Sequence, residues 1–199
     1  MEVKYTRNII KLELGIVIFA LLFAMTFNVN GTTINEDEST SNDIREKINE
    51  RTILIPDTDI VLIVWNEINN NGEILPFYSV SLDGGKSIVR TVQADYELGL
   101  RYDHFDPLIS TPSMYSTLKA GSDTNLFIVQ FITQPLEQFK DKITTLGGTV
   151  HQYIAQFAYL VEMNEDVKLQ VETLPYVRWI GPYHPGYKLE EFILDNIEK

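Results

Sequence analysis

From residue 125 to residue 187 the apolar positions alternate between a period near two and a period near 3.6. Leu126-Phe127-Ile128-Val129-Gln130-Phe131 is a compact apolar run of strand length. After Pro135, Leu136, Phe139, Ile143 and Leu146 recur at helical spacing, and Gly147-Gly148 stops the helix. Residues 150–154 and 157–163 are two strands joined by a short turn. Asn164 is a helix cap, with Glu165 and Asp166 at the positive end of the dipole. Val167, Val171 and Leu174 share one face, Pro175 ends the helix, and residues 177–180 form a last strand.

That order, β-α-β-β-α-β, predicts an α+β fold: a ferredoxin-like antiparallel sheet with two helices on one face. The first strand is apolar on both sides, with Leu126 and Ile128 on one and Phe127, Val129 and Phe131 on the other. Two helices cover only one face, so the other needs a cover. The preceding β-rich region and a separate protein partner are the candidates, with Phe127, Val129 and Phe131 as the contact face.

Upstream, residues 53–110 read as that small β-rich region. Ile60-Val61-Leu62-Ile63-Val64-Trp65 and Phe77-Tyr78-Ser79-Val80-Ser81 are strands, and Asp83-Gly84-Gly85-Lys86 is a hairpin-turn signal. Tyr96, Leu98, Leu100 and Tyr102 alternate with polar or small residues, a half-buried strand. Residues 111–123 are rich in Ser and Thr and read as a linker, with residues 124–187 as the second domain and 188–199 as a tail. Residues 32–52 are polar and acidic and read as a flexible tether, with a short helix over 43–51.

At the start of the chain, Lys4, Arg7 and Lys11 precede an apolar run at 14–27. Fourteen residues are short for a bilayer of ~30 Å but suit the core of a signal peptide. Residues 1–31 are read as a signal peptide, with an uncleaved membrane anchor as the alternative, and the remainder as secreted.

Composition narrows the partners. The formal charge is −12, and acidity of that size repels nucleic acid and anionic lipid. There is no cysteine, which excludes disulfides and thiolate chemistry. His104, His151 and His184 are not at metal-binding spacing, and no Gly-x-Ser-x-Gly elbow or phosphate loop occurs. The chain is therefore read as non-catalytic, with no metal and no cofactor. Residues 81–87 resemble the Asp-box hairpin of sialidase-like propellers, with Ile88 replacing the usual aromatic; a single copy implies a structural hairpin.

The C-terminal run Val177-Arg178-Trp179-Ile180-Gly181-Pro182-Tyr183-His184-Pro185 is held extended by its prolines. An extended exit from a sheet suits a peptidase cleft, and it equally suits a simple chain exit.

With these pieces in order, residues 126–187 resemble the propeptide-inhibitor domain of subtilisin-like serine proteases. The resemblance rests on Phe127-Ile128-Val129-Gln130-Phe131, Leu146-Gly147-Gly148, Ala158-Tyr159-Leu160-Val161-Glu162-Met163 and Pro175-Tyr176-Val177-Arg178-Trp179-Ile180. Residues 53–199 as a whole resemble the N-terminal region of large secreted prokaryotic members. The resemblance implies a sheet packed on protease helices and a tail lying in the cleft like a product. Here the tail would be Tyr183, His184, Pro185, Gly186 and Tyr187. It implies binding, inhibition or folding assistance of a subtilisin-like protease. Gly181 and Tyr183 stand where that family commonly has an acidic residue, and the catalytic Asp, His and Ser segments do not occur in this sequence. A front end of a split protease and a surface-tethered structural domain are the alternative readings.

Overall fold

A computed structural model describes residues 45–101 and 103–189, all within one compact unit that spans residues 42–199. The signal or anchor segment, most of the acidic tether, Tyr102 and residues 190–199 lie outside the described residues. No helix among those described is long and apolar enough to cross a membrane.

The fold is α+β. Its first half is an antiparallel meander of β1 (Glu46–Leu54), β2 (Val61–Ile68), β3 (Ile74–Ser81) and β4 (Arg90–Gln93), in the order β1-β2-β3-β4. β1 replaces the helix expected over residues 43–51. The signal was hidden because β1 is an edge strand: Ile53 alone is buried in it, so no apolar period emerges. The β2–β3 turn is tied by Asn69, whose Oδ1 accepts from the N–H groups of Asn71 and Glu73 at 3.0 and 2.9 Å.

The described part of the alternating pattern, residues 96–101, forms almost no ladder. β5 (Leu98–Gly99) and β6 (His104–Phe105) are two residues each and pair only with one another. The second sheet then follows: β7 (Leu126–Phe131), α1 (Glu137–Thr145), β8 (Thr149–Tyr153), β9 (Ala158–Glu162), α2 (Glu165–Glu172) and β10 (Val177–Pro182). Its strand order is β10-β7-β9-β8, and every pair is antiparallel.

The helices begin and end where local chemistry directs. Asn164 accepts the N–H of Val167 at 2.9 Å, which satisfies one free donor of the first turn of α2. Gly147 takes a positive φ of 101° just past α1, a left-handed stop that a side chain would strain. Phe139 and Ile143 of α1 and Val167 and Val171 of α2 are buried.

They are buried against Phe127, Val129 and Phe131, which are 5%, 0% and 0% exposed. These three are thus the helix-facing floor of the core, and the contact face expected from them is not at the surface. Phe139 and Tyr176 stack at 4.0 Å beside Phe131. The meander joins the same core through Ile53, Leu62, Val64 and Tyr78, so the two halves share one interior. Tyr78 meets Phe157 edge-on at 5.7 Å across that seam.

Candidate interaction surface

The other face of the sheet carries Ile128 and Ala158, both 0% exposed, and the chain itself covers it. Leu98, Leu100, Phe105 and Met114 lie on this face as a strap, and Trp179, Tyr183 and Leu118 pack at its margins. The stretch expected to be a linker, 111–123, is therefore partly core. It lacks periodicity because it follows the sheet surface without joining a ladder, so its apolar residues fall wherever the path touches.

Polar groups fix the strap in place. Gln130 sits mid-strand in β7 and is 0% exposed, so each of its polar atoms needs a partner. Its Nε2 donates to the carbonyls of Tyr96 and Gln156 at 3.0 and 3.1 Å, and its Oε1 accepts from Arg178 at 2.8 Å. The β10–β7 register shifts between Val177 and Trp179, so Arg178 lies at a bulge in β10. Its guanidinium donates to both carboxylate oxygens of Asp106, at 2.8 and 2.7 Å. It also lies 4.0 Å from the centre of the Tyr96 ring. The two charged side chains are only 12% and 14% exposed. Tyr96 donates its hydroxyl to the carbonyl of Ile132 at 2.7 Å. Burial pushes that phenol up to about 12, against the pull of Arg178.

Asp106 also shapes the turn beyond it. Its Oδ1 accepts the N–H of Leu108 at 3.0 Å, and its carbonyl accepts the N–H groups of Ile109 and Ser110. Leu108 and Ile109 are thereby held outward, 60% and 83% exposed.

The five tail residues expected to be extended divide into two parts. Tyr183 continues the sheet, donating its N–H to the carbonyl of Leu126 at 2.9 Å. His184 Nδ1 accepts the N–H of Ala120 at 2.9 Å, which ties the tail to the end of the strap. Burial, and secondarily the charge of Lys119, pushes the His184 imidazole down. Pro185, Gly186 and Tyr187 belong to a 3-10 turn, Pro185–Lys188, with Pro at its first turn. Gly186 and Tyr187 are buried in it. A Cβ on Gly186 would stand 2.7 Å from Met114 Sδ, so glycine is what permits this close approach. The segment from Pro185 is thus folded back on the strap and is not a free extended peptide. Pro182 does end the extended strand β10, whereas Pro185 starts a turn.

The remaining sequence candidates stand apart. His104 and His151 are exposed, and His151 pairs with Glu162 at 3.2 Å. Among the described residues no group of three or more His, Asp or Glu could hold a metal ion. In the 82–89 loop, Asp83 accepts from the N–H and hydroxyl of Ser87 and from the hydroxyl of Ser81. These bonds, those from Ser87 foremost, pull its carboxyl down to about 2. Its lone pairs are spent on its own loop, which suits a structural part.

The polar latch of Gln130, Arg178 and Asp106 was missed in the sequence. Its one trace there was a glutamine inside an otherwise apolar strand, since a polar side chain in that position has to find partners.

Residues 99–184 match a family model described as "Domain of unknown function (DUF8729)". The matched span takes in most of the strap together with the whole β7–β10 unit, and leaves out the meander. No curated protein and no solved structure matches the chain.

Proposed function

We propose that the chain is a non-catalytic, secreted, propeptide-like module with a ferredoxin-like arrangement, which binds a subtilisin-like serine protease. The observation that carries this reading is the β10-β7-β9-β8 order, with both helices packed on one side of the sheet. The Asp-box-like hairpin before it is supported by the self-contained hydrogen bonding of Asp83. In this reading the protease meets the outer surface of the strap and the Tyr183–His184 stretch, because the sheet face beneath is already occupied. Solvent-facing Leu108, Ile109 and Tyr115 on the strap supply apolar contact area.

The test is direct. Purified protein should slow cleavage of a fluorogenic peptide by a subtilisin-like protease, or speed that protease's refolding. Neither effect at roughly 50 µM, which corresponds to about 6 kcal/mol of binding, would remove the proposal. One observation favours a second reading, a surface-tethered structural domain: the sheet is shielded on both faces by its own chain. N-terminal sequencing of the exported protein separates the two, since a tether requires residues 14–27 to be retained.

A further inference from the structure

A groove of about 690 Å³ lies where β1, β2 and β3 face the strap and the start of β10. Its size is in the range that holds small ligands or a few peptide residues. Val64 and Pro76 of the meander and Ile132 and Val177 of the other half supply its apolar wall. Ile74, Leu108 and Ile109 stand at its border, each more than half exposed. These residues form an apolar rim on a chain whose surface is otherwise strongly acidic.

The polar groups of the groove are unevenly committed. Asp106 and Arg178 are consumed by one another. Arg51 also lines the groove, and no carboxylate among the described residues lies within ion-pair distance of it. The amides of Asn49 and Asn66 line it as well, and neither bonds another side chain among the described residues. One uncompensated guanidinium, two amides and an apolar wall converge on the same space. The charge complement is a single carboxylate attached to an apolar body.

We propose that this groove binds an extended peptide with apolar C-terminal residues, its terminal carboxylate on Arg51. Two observations select a peptide of that kind. β1 ends the meander order, so among the described residues its outer backbone has no neighbouring strand and can accept an extended chain. The net charge of −12 repels a partner with several acidic side chains, whereas one terminal carboxylate can sit on a local cation. Asn49, at a positive φ of 56° within the β1 bulge, turns this edge away from ordinary sheet growth; the pairing it permits is short and local. The proposal stands apart from the protease reading and survives its failure.

The probe is a fluorescein-labelled hexapeptide pool with Leu, Phe, Val or Ile in the last three positions, made as the free acid and as the C-terminal amide. Fluorescence polarisation with the purified chain should show saturable binding of the acid and weakening by about ten- to a hundredfold for the amide, as expected for a lost charge-assisted bond. Arg51→Gln should weaken the acid to the level of the amide and leave the amide unchanged. Ile109→Asp should weaken both. Lys86→Ala, in the 82–89 loop, should change neither. Equal binding of acid and amide overturns the proposal, as does an Arg51→Gln protein with unchanged affinity, or no binding at about 1 mM protein. Circular dichroism of each variant separates a lost site from a lost fold.

Discussion

Replacing Asp106 by Ala should cost far more than the loss of an ordinary ion pair. The pair with Arg178 is bidentate at 2.7 and 2.8 Å, and both side chains are more than four-fifths buried. Removing the carboxylate leaves a guanidinium under the strap with only Gln130 Oε1 to receive it. A buried charge stripped of its partner costs about 3–5 kcal/mol, against about 0–1 for an exposed pair. Asp106→Asn keeps one acceptor oxygen and loses the charge, so about 2 kcal/mol is expected. Arg178→Ala should cost as much as Asp106→Ala, since it strands both the carboxylate and Gln130 Oε1. In the double variant neither charge is stranded, so the coupling should reach about 2 kcal/mol or more. Urea unfolding followed by Trp fluorescence reads this well. Trp65 reports on the meander and Trp179 adjoins Arg178, so one transition for both would justify two-state treatment. A cost for Asp106→Ala below about 1 kcal/mol, with coupling near zero, would refute the latch and reduce the pair to surface decoration.

Three smaller perturbations test other parts of the argument. Asn164→Ala removes the cap of α2 and should cost about 1 kcal/mol, which calorimetry would read as a fall of roughly 3 °C in Tm. Gly186→Ala drives a methyl against Met114 and Leu118 and should cost about 1–3 kcal/mol; faster limited proteolysis after residue 183 would report the loosened tail. His184 must stay neutral at Nδ1 to accept from Ala120, and its pKa is depressed below 6.5. The unfolded chain therefore takes up a proton that the folded chain resists, and stability falls as pH drops from 6.5 through the folded value. Urea midpoints at pH 7 and pH 5 should separate in the wild type and draw together in His184→Asn, which keeps an acceptor and loses the titration.

The elements of the second sheet were legible because each carried its own punctuation. Pro135, Gly147, Asn164 and Pro175 bracket two one-sided helices, and β7 is too apolar to be anything but a central strand. Which side of β7 faced the helices was not legible. Alternation sorts Phe127, Val129 and Phe131 from Ile128 and Gln130, and says nothing of which set the helices will choose. The buried glutamine could have decided it: its amide needs polar backbone nearby, and a helix whose carbonyls are already bonded offers little. β1 escaped notice because an edge strand exposes both faces. The strap escaped because its apolar residues answer to the sheet beneath them and follow no period of their own.

A sheet whose second face is closed by apolar contacts alone leaves the strap free to shift along it, since dispersion and burial are nearly indifferent to small displacements. The latch removes that freedom. Gln130 grips the strap at Tyr96 and Arg178 grips it at Asp106, ten residues further on, and both grips require donors and acceptors in register. Asp106 then directs the backbone of Leu108 through that carboxylate and of Ile109 through its own carbonyl, so the residue that closes the interior also aims two exposed apolar residues of the surface. Interior and surface are coupled through one residue. It follows that Asp106→Ala, which removes the acceptor of the Leu108 N–H, should disturb any partner that reads Leu108, while a change to an exposed residue of β4 should leave that partner alone.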